Sequence, residues 1–321
     1  MENLENSVAA GEMVSVVVPV RDRAEIVCRT LESIENQTYR PIHLIVVDNG
    51  SRDETLRVVS DWKYAHEAEG FKITILLEST PGACVARNRG LREVDTDKVV
   101  FFDSDDIMMP SLITKAMAAF DSNPEAKIAH WRGLRRDLLG GERLSHFTTK
   151  NLLECQMVHS MLTTTYYMSR TDYFRSAGAW DETLPVWNDW ELGVRLLADN
   201  PATAPLEDVL TLAHSNKDSI TGETFTQKQG EWERSIRRVM EDIEASGRPD
   251  KNRLLRIALY RQAILAAHYR RENNRSAAET LLRTALSSPL LNPAQRAALR
   301  AAYAYTRRGG RGAFRILSPL L

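Results

Sequence analysis

The chain has 321 residues, of which 43% are hydrophobic and 26% charged, and its net charge is -1. It is long enough to bury a full core and to hold one large domain plus an appendage. No apolar run approaches the ~18 residues that span a bilayer, the opening MENLENSVAAGE lacks a basic-then-apolar leader pattern, and Cys28, Cys84 and Cys155 form no CxxC or Cys/His cluster, so a membrane span, a disulfide framework and a zinc module are excluded and a reducing, cytoplasmic setting is expected.

In chain order, VSVVVPV (14–20) reads as a buried strand and CRTLESIENQ (28–37) as a helix with its apolar positions at Leu31 and Ile34. IHLIVV (42–47) is a second strand, ETLRVVSDW (54–62) a helix, KITILLE (72–78) a third strand, CVARNRGLREV (84–94) a helix, and VVFF (99–102) a fourth strand. Alternation of this kind predicts an α/β fold with a mostly parallel sheet and helices on both faces. Ligands of such sheets sit at the carboxyl ends of the strands, where Arg21-Asp22, Asp48-Asn49 and Asp103-Ser104-Asp105 fall. After the first strand the chain reads PVRDRAE rather than GxGxxG, which excludes a dinucleotide fold.

The segment DSDD (103–106) places three carboxylates in four positions directly after a buried strand. In extended chain, side chains two apart point the same way, so Asp103 and Asp105 are expected to converge while Ser104 faces away. Ionised carboxylates that close repel each other unless a cation lies between them, and a hard divalent ion with oxygen ligands is the natural relief. The alternative is a helix cap before Pro110, which accounts for one aspartate only.

From about residue 226 the sequence becomes Ala- and Arg-rich with helical spacing and no strand-like run. The expected layout is an N-terminal tail (1–13), an α/β domain (14–225, with halves 14–106 and 107–225) and a basic helical domain (226–321). In the last, AILAAHYRRENNRSAAETLLRTALSSP (263–289) is patterned as a tetratricopeptide-like hairpin. Residues 251–321 hold 14 Lys+Arg against two acids, a net +12, which leaves 28 basic and 41 acidic residues, or -13, in 1–250.

Four stretches occur in a telling order: VSVVVPVRDRAEIVCRTLESIENQTYRPIHLIVVDNGSRDET (14–55), GACVARNRGL (82–91), FFDSDD (101–106) and GAWDETLPVWNDWELGVRLL (178–197). Together they resemble the family 2 glycosyltransferases over roughly residues 14 to 222, which implies a GT-A fold, Rossmann-like, followed here by an all-helical extension. The resemblance implies a metal-dependent, inverting transfer of a sugar from a nucleotide-diphosphate sugar to a glycan or lipid-linked acceptor, as in polysaccharide biosynthesis. A UDP-sugar is the first expectation for the donor, with dTDP- or GDP-sugars as alternatives. By position, Pro19, Asp48 and Asn49 would line the nucleoside pocket, Arg87 and Asn88 would approach base or phosphate, Asp103 would meet the ribose beside Ser104, and DSDD would be the DxD motif that holds Mn²⁺ or Mg²⁺ through Asp105 and Asp103. The chain departs from the family at Arg21-Asp22, commonly Tyr-Asn, and at Asn49, often a second Asp. The Asn49 amide both donates and accepts, which loosens the expectation for the base. A non-catalytic GT-A scaffold that binds nucleotide or sugar is the competing reading.

Within WNDWELGVRLL (187–197), Asp189 projects to the same helix face as Leu192, Gly193, Leu196 and Leu197, whereas Glu191 projects to the opposite, solvent side and meets Arg195 at i,i+4. Asp189 also matches the family's general base, against a simple capping role. His214 falls where the family often has a metal-side histidine, and the resemblance makes it the expected third ligand. Trp187 is the expected stacking platform for a sugar face. The basic C-terminal region, ending in RGGRGAFRILSPLL with Phe314, Ile316 and Leu317, reads first as solvated helix faces and next as a peripheral contact with the inner face of a membrane. It carries no recognised nucleic-acid module.

Overall fold

The computed structural model describes residues 11–214, 224–310 and 312–314. Most of the expected N-terminal tail, the loop after His214, and Ile316 and Leu317 lie outside the described residues. The elements are β1 (Val14–Val20), α1 (Val27–Glu35), β2 (Ile42–Asp48), α2 (Thr55–His66), β3 (Phe71–Leu77), α3 (Ala83–Glu93), β4 (Lys98–Phe101), β5 (Ile107–Met108), α4 (Leu112–Ser122), β6 (Ile128–Arg136) and β7 (Glu142–Leu144). They continue with α5 (Leu152–His159), β8 (Tyr167–Arg170), α6 (Thr171–Ser176), α7 (Asn188–Leu197), β9 (Thr203–His214), α8 (Gln229–Ala245), α9 (Lys251–Arg271), α10 (Arg275–Ser287) and α11 (Pro293–Arg307). The chain forms two compact units, a sheet unit (up to Phe147, Leu162–Glu182 and the stretch from Pro201) and a helical unit (Thr148–Met161, Thr183–Asn200 and the C-terminal part).

Among the described residues the sheet unit carries nine strands, eight of them in the order β3-β2-β1-β4-β8-β6-β9-β5, with β7 paired to β6. The first four are parallel, in the arrangement that alternating strands and helices predict. Period 2 divides the β1 side chains between two faces. Val14, Val16, Val18 and Val20 join Leu31, Ile34 and the α4 residues Leu112, Ile113 and Phe120 in one core. On the other face α3 crosses so closely that a Cβ on Gly90 would lie 2.4 Å from Val17 Cγ1 and 3.1 Å from Val47 Cγ2. A glycine in mid-helix lowers helix stability by about 1 kcal/mol relative to alanine, and here it buys the close approach of helix to sheet.

The helical unit is built on the apolar faces of α5, α7, α8 and α9: Met157, Trp190 and Val194 share a core with Trp232, Ile236, Val239, Leu254, Leu255 and Leu265. A second cluster joins Leu259 and Ala263 to Leu299 and Ala302 of α11. The α9–α10 hairpin forms where expected, with Asn273 in the left-handed region (φ 65°) and the Asn274 side chain capping α10 by accepting from Ala277 N–H at 3.2 Å. The compact units do not divide at residue 225. Two segments of the expected α/β domain, 148–161 and 183–200, bury their apolar faces against the C-terminal helices instead.

Glu191 departs from its helical projection. It is fully buried and receives two bonds from Arg195, Nε to Oε1 at 2.5 Å and Nη2 to Oε2 at 2.8 Å. A projection assumes one solvent side, and α7 has none at this position because α5 packs along one flank and α8, whose Asp242 also bonds Glu191, along another.

Two outcomes are expected in denaturant unfolding. Gly90→Ala gains helix propensity but overpacks β1, for a net loss of about 1–2 kcal/mol. Glu191→Gln removes the fully buried carboxylate that pairs with Arg195 and lowers stability by about 3 kcal/mol. Unchanged midpoints would contradict the packing and the ion pair respectively.

Candidate functional site

The site grows from loops at the carboxyl ends of β1, β2, β3 and β4. Those after β1 and β2 are zipped together by short polar side chains. Arg52 N–H donates to Asp22 Oδ1 at 2.7 Å, Asp22 N–H to Ser51 Oγ at 3.1 Å, Arg23 N–H to Thr55 Oγ1 at 2.7 Å, and Ala24 N–H to Asp53 Oδ2 at 3.1 Å. Asp22, one of the two residues at which the chain departs from the family it resembles, therefore acts as a loop tie, in left-handed backbone (φ 50°). Pro19 is half-buried near the end of β1, in register with Val47.

Asp48 and Asn49 are both buried, yet they do different things. Asp48 Oδ2 accepts from Ser51 N–H at 3.2 Å, whereas its Oδ1 is buried without a hydrogen-bond partner in the protein. A buried acceptor left unpaired is costly. Asn49 has its amide engaged already: Nδ2 donates to Glu78 O at 3.1 Å and Thr80 O at 2.7 Å, and Oδ1 accepts from Gly82 N–H at 2.8 Å. It holds the loop that leads into α3, in which Gly82 adopts φ 146°.

On α3, Arg87 and Asn88 likewise part ways. The Arg87 guanidinium lies 4.5 Å over the Trp180 ring and gives Nη2–H to Asp103 Oδ1 at 2.8 Å. Asn88 pairs with Trp180 through both ends of its amide, donating to Trp180 O at 2.9 Å and accepting from Trp180 N–H at 3.1 Å, and it also donates to Glu182 Oε1. Its amide thus sets Trp180, whose ring meets Phe101 edge-on at 5.4 Å, under the arginine that holds Asp103.

DSDD is a tight turn, closed by Asp106 N–H to Asp103 O at 3.2 Å, rather than extended chain. The alternation expected for Asp103 and Asp105 does not apply, because a turn reverses direction between them. Ser104 is buried. Helix α1 cradles the turn from below. Arg29 Nη2 donates to Asp105 O at 2.9 Å and Thr30 Oγ1 to Asp106 O at 2.8 Å, Met108 N–H donates to Ser33 Oγ at 3.0 Å, and Gln37 bridges Met109 O and Ile113 N–H. These four residues escaped the sequence reading. Their one signal was a row of polar positions (29, 30, 33, 37) beside the apolar stripe of the helix, which reads equally well as a solvated face.

Asp106 is buried. Its Oδ1 accepts from His214 N–H at 3.1 Å and its Oδ2 from Thr165 Oγ1 at 3.1 Å. Burial, then the charges of Asp103 and Asp105, push its carboxyl well above the usual range. It ties the turn to the end of β9, which pairs with β5 through Ile107↔Leu212. The ring of Tyr166 lies over Gly133, where a Cβ would meet it at 2.2 Å, and burial first, then the Asp106 charge, push its phenol up to about 12. His214 Nδ1 is buried and unpartnered, and burial, then Arg29 and Arg136, lower the pKa of the ring, favouring the neutral form that can ligate a metal.

Among the described residues no group of three His, Cys, Asp or Glu side chains stands close enough together to hold a metal ion. The donor set nonetheless suits a hard cation that takes part of its shell from substrate phosphate and water, as Mg²⁺ and Mn²⁺ do with one or two carboxylates.

Asp189 belongs to the helical unit, half-buried in the first turn of α7, and its Oδ1 accepts from Trp190 N–H at 2.7 Å. Trp187 is engaged in packing. Its ring meets those of Trp232 at 4.8 Å and Trp190 at 5.8 Å, in the cluster that also holds Phe225. Among the described residues no helix is long and apolar enough to cross a membrane.

Residues 15–176, just over half of the chain, match the family model described as glycosyl transferase family 2. The amylovoran biosynthesis glycosyltransferase AmsE of Erwinia amylovora is 25% identical over 212 residues, covering 65% of this chain and 78% of that one. Three further curated glycosyltransferases are matched over 36%, 33% and 30% of their own lengths, so the chain spans about a third of those relatives. Among solved structures, TarS 1-349 of S. aureus in complex with UDP-GlcNAc superposes with a TM-score of 0.67 at 18% identity, over 92% of this chain and 87% of that one. The mannosyltransferase PcManGT of Pyrobaculum calidifontis, in complex with GDP-Man and Mn²⁺, superposes with a TM-score of 0.60 at 17% identity, over 93% and 83%. The sheet order, the strand-end aspartates and the family match agree: the fold is GT-A, and the chain belongs to glycosyl transferase family 2.

Proposed function

We propose that this chain is a metal-dependent, inverting glycosyltransferase that moves a sugar from a nucleotide-diphosphate sugar to a hydroxyl of a glycan or lipid-linked acceptor. The observation that carries the reading is the DSDD turn at the end of β4, braced by α1 and β9, with Asp103 held by Arg87. Asp48 supports a nucleoside pocket, since its unpaired Oδ1 suits the N–H of a base. A uracil N3–H satisfies it, and the UDP-GlcNAc complex of the TarS relative makes a UDP-sugar the first choice, with the GDP-Man complex of PcManGT keeping guanine open.

Asp105 and Asp103 would hold Mn²⁺ or Mg²⁺, which when bound neutralises the diphosphate as it departs. Ser104 and Asp103 would face the ribose. Asp189 would take the proton of the acceptor hydroxyl as that oxygen forms its bond to the anomeric carbon and the bond to the diphosphate breaks. The excess of arginine in 251–321 would favour an anionic membrane surface, where lipid-linked acceptors reside.

Asp105→Ala is expected to abolish the Mn²⁺-dependent rise in melting temperature on adding UDP. In the wild type, free ligand at a hundred times its Kd stabilises by about 2.7 kcal/mol, and an undiminished rise in the variant would remove Asp105 from the site. Asp189→Asn keeps size and hydrogen-bonding reach but cannot accept a proton. It should leave the UDP shift intact and lower turnover by about 10²- to 10⁴-fold; full turnover would reject Asp189 as the base.

A further inference from the structure

We propose that the turn between β6 and β7 is a membrane contact: Leu138 and Leu139 at its tip enter the outer part of an anionic bilayer, while Arg135 and Arg143 behind them meet the lipid phosphates. The inference concerns where the enzyme is held, so it is independent of the proposed base and metal, and it assigns the contact to a different segment from the arginines of 251–321.

The tip is apolar and closed. Leu138 is 60% exposed and Leu139 98%. One exposed leucine is ordinary, whereas two in succession at the end of a projecting strand pair mark a contact surface. The turn that carries them is held by its own hydrogen bonds. Asp137 Oδ1 accepts from Leu139 N–H at 2.9 Å and from Gly141 N–H at 2.8 Å, Asp137 N–H donates to Gly141 O at 2.9 Å, and Gly140 N–H donates to Asp137 O at 3.0 Å. Gly140 supplies the left-handed backbone (φ 82°) that closes the turn. Backbone groups paired in this way can leave water without losing their partners, which an apolar medium requires.

Charge selects the occupant. Arg136 donates Nε–H and Nη2–H to Glu142 Oε1 at 3.0 and 2.6 Å, and Asp137 is engaged by the turn, so both acids of the hairpin are already in use. Arg135 and Arg143 are exposed register partners across β6 and β7 and make no ion pair or hydrogen bond among the described residues. Like charges directly opposite each other weaken a strand pair, and an anion before them relieves the repulsion, phosphate being well matched to guanidinium. Leu138 lies three residues past Arg135, which at about 3.3 Å per residue sets the leucines up to about 10 Å beyond the arginines. That is the depth to which an interfacial segment sinks below the lipid phosphates, about 5–10 Å. A protein partner of ordinary affinity needs about 800 Å² from each side, far more than a two-leucine tip presents, whereas a bilayer accepts the tip alone. The hairpin also springs from the site: β6 pairs with β9 as far as Arg136↔His214, and the His214 N–H holds Asp106 of the DSDD turn. A bilayer at the tip would thus bring a lipid-linked acceptor beside the strand-end aspartates.

The test is co-sedimentation of the purified full chain with vesicles of phosphatidylcholine alone and of phosphatidylcholine mixed with phosphatidylglycerol. The wild type is expected to partition onto the anionic vesicles. Leu138→Ser combined with Leu139→Ser should lower that partition about tenfold or more, since two apolar side chains stay in water. Arg135→Gln combined with Arg143→Gln should lower it about 25-fold, about fivefold for each arginine, and leave binding to phosphatidylcholine alone unchanged. All four positions are exposed, so both variants should keep the wild-type melting temperature in buffer and the wild-type UDP thermal shift. A wild type that ignores anionic vesicles overturns the proposal. So does wild-type partition in both variants, which would leave the attraction to the C-terminal arginines. A wild type that instead self-associates through Leu138 and Leu139 in sedimentation velocity, without binding vesicles, would make the tip an interface between copies and also overturn it.

Discussion

Everything at the sheet edge depends on one constraint, that three aspartates share a four-residue turn. Their mutual repulsion would open the turn, and the fold opposes it with donors from three directions: Arg87 from α3 on Asp103, Thr30 and Arg29 from α1 on the backbone of the turn, and Thr165 with the His214 N–H on Asp106. The buried Asp106 takes the structural share of the work, tying the end of β9 to the turn. Asp103 and Asp105 are left at the rim, where a cation and a diphosphate would meet them.

The loops around this turn cannot use a strand ladder, so side chains supply what the backbone lacks. Asn49 and Asn88 each present a donor and an acceptor in one plane, as a peptide group does, and each holds backbone that would otherwise be loose. Asn49 fixes the approach to α3, and Asn88 fixes Trp180 beneath Arg87. Both amides, expected from the sequence to approach the donor, are hydrogen-bonded to loop backbone, whereas Asp48 keeps one oxygen without a partner in the protein.

The helical unit solves a different electrostatic problem. Residues 251–321 carry a net +12, yet two half-buried arginines of the unit are built into its packing: Arg261 stacks on Trp187 and Trp190, and Arg195 pairs with the buried Glu191. Planar guanidinium can stack on indole and hydrogen-bond in its own plane at the same time, which a lysine cannot. This is why a strongly basic region can supply part of a core around α7 instead of merely coating it.

What the sequence by itself determined are the features carried by local pattern. The parallel order of β1 to β4, the strand-end placement of Asp48 and Asp103, the α9–α10 hairpin and the family all follow from periodicity and from motifs in order, because apolar spacing and short polar turns are read over a few residues. Only the tertiary structure decided which polar groups meet. Nothing local distinguishes Glu191, buried against Arg195 between α5 and α8, from a solvent-facing i,i+4 pair, nor Thr30 and Gln37 beneath the DSDD turn from a solvated helix face. The same holds for Arg261, stacked on Trp187 and Trp190, and for α5 and α7, which join the C-terminal helices although the sequence between them belongs to the sheet. Side-chain charge and hydrogen bonding act through space over a few ångströms, and the separation along the chain carries no record of that distance until the helices have packed.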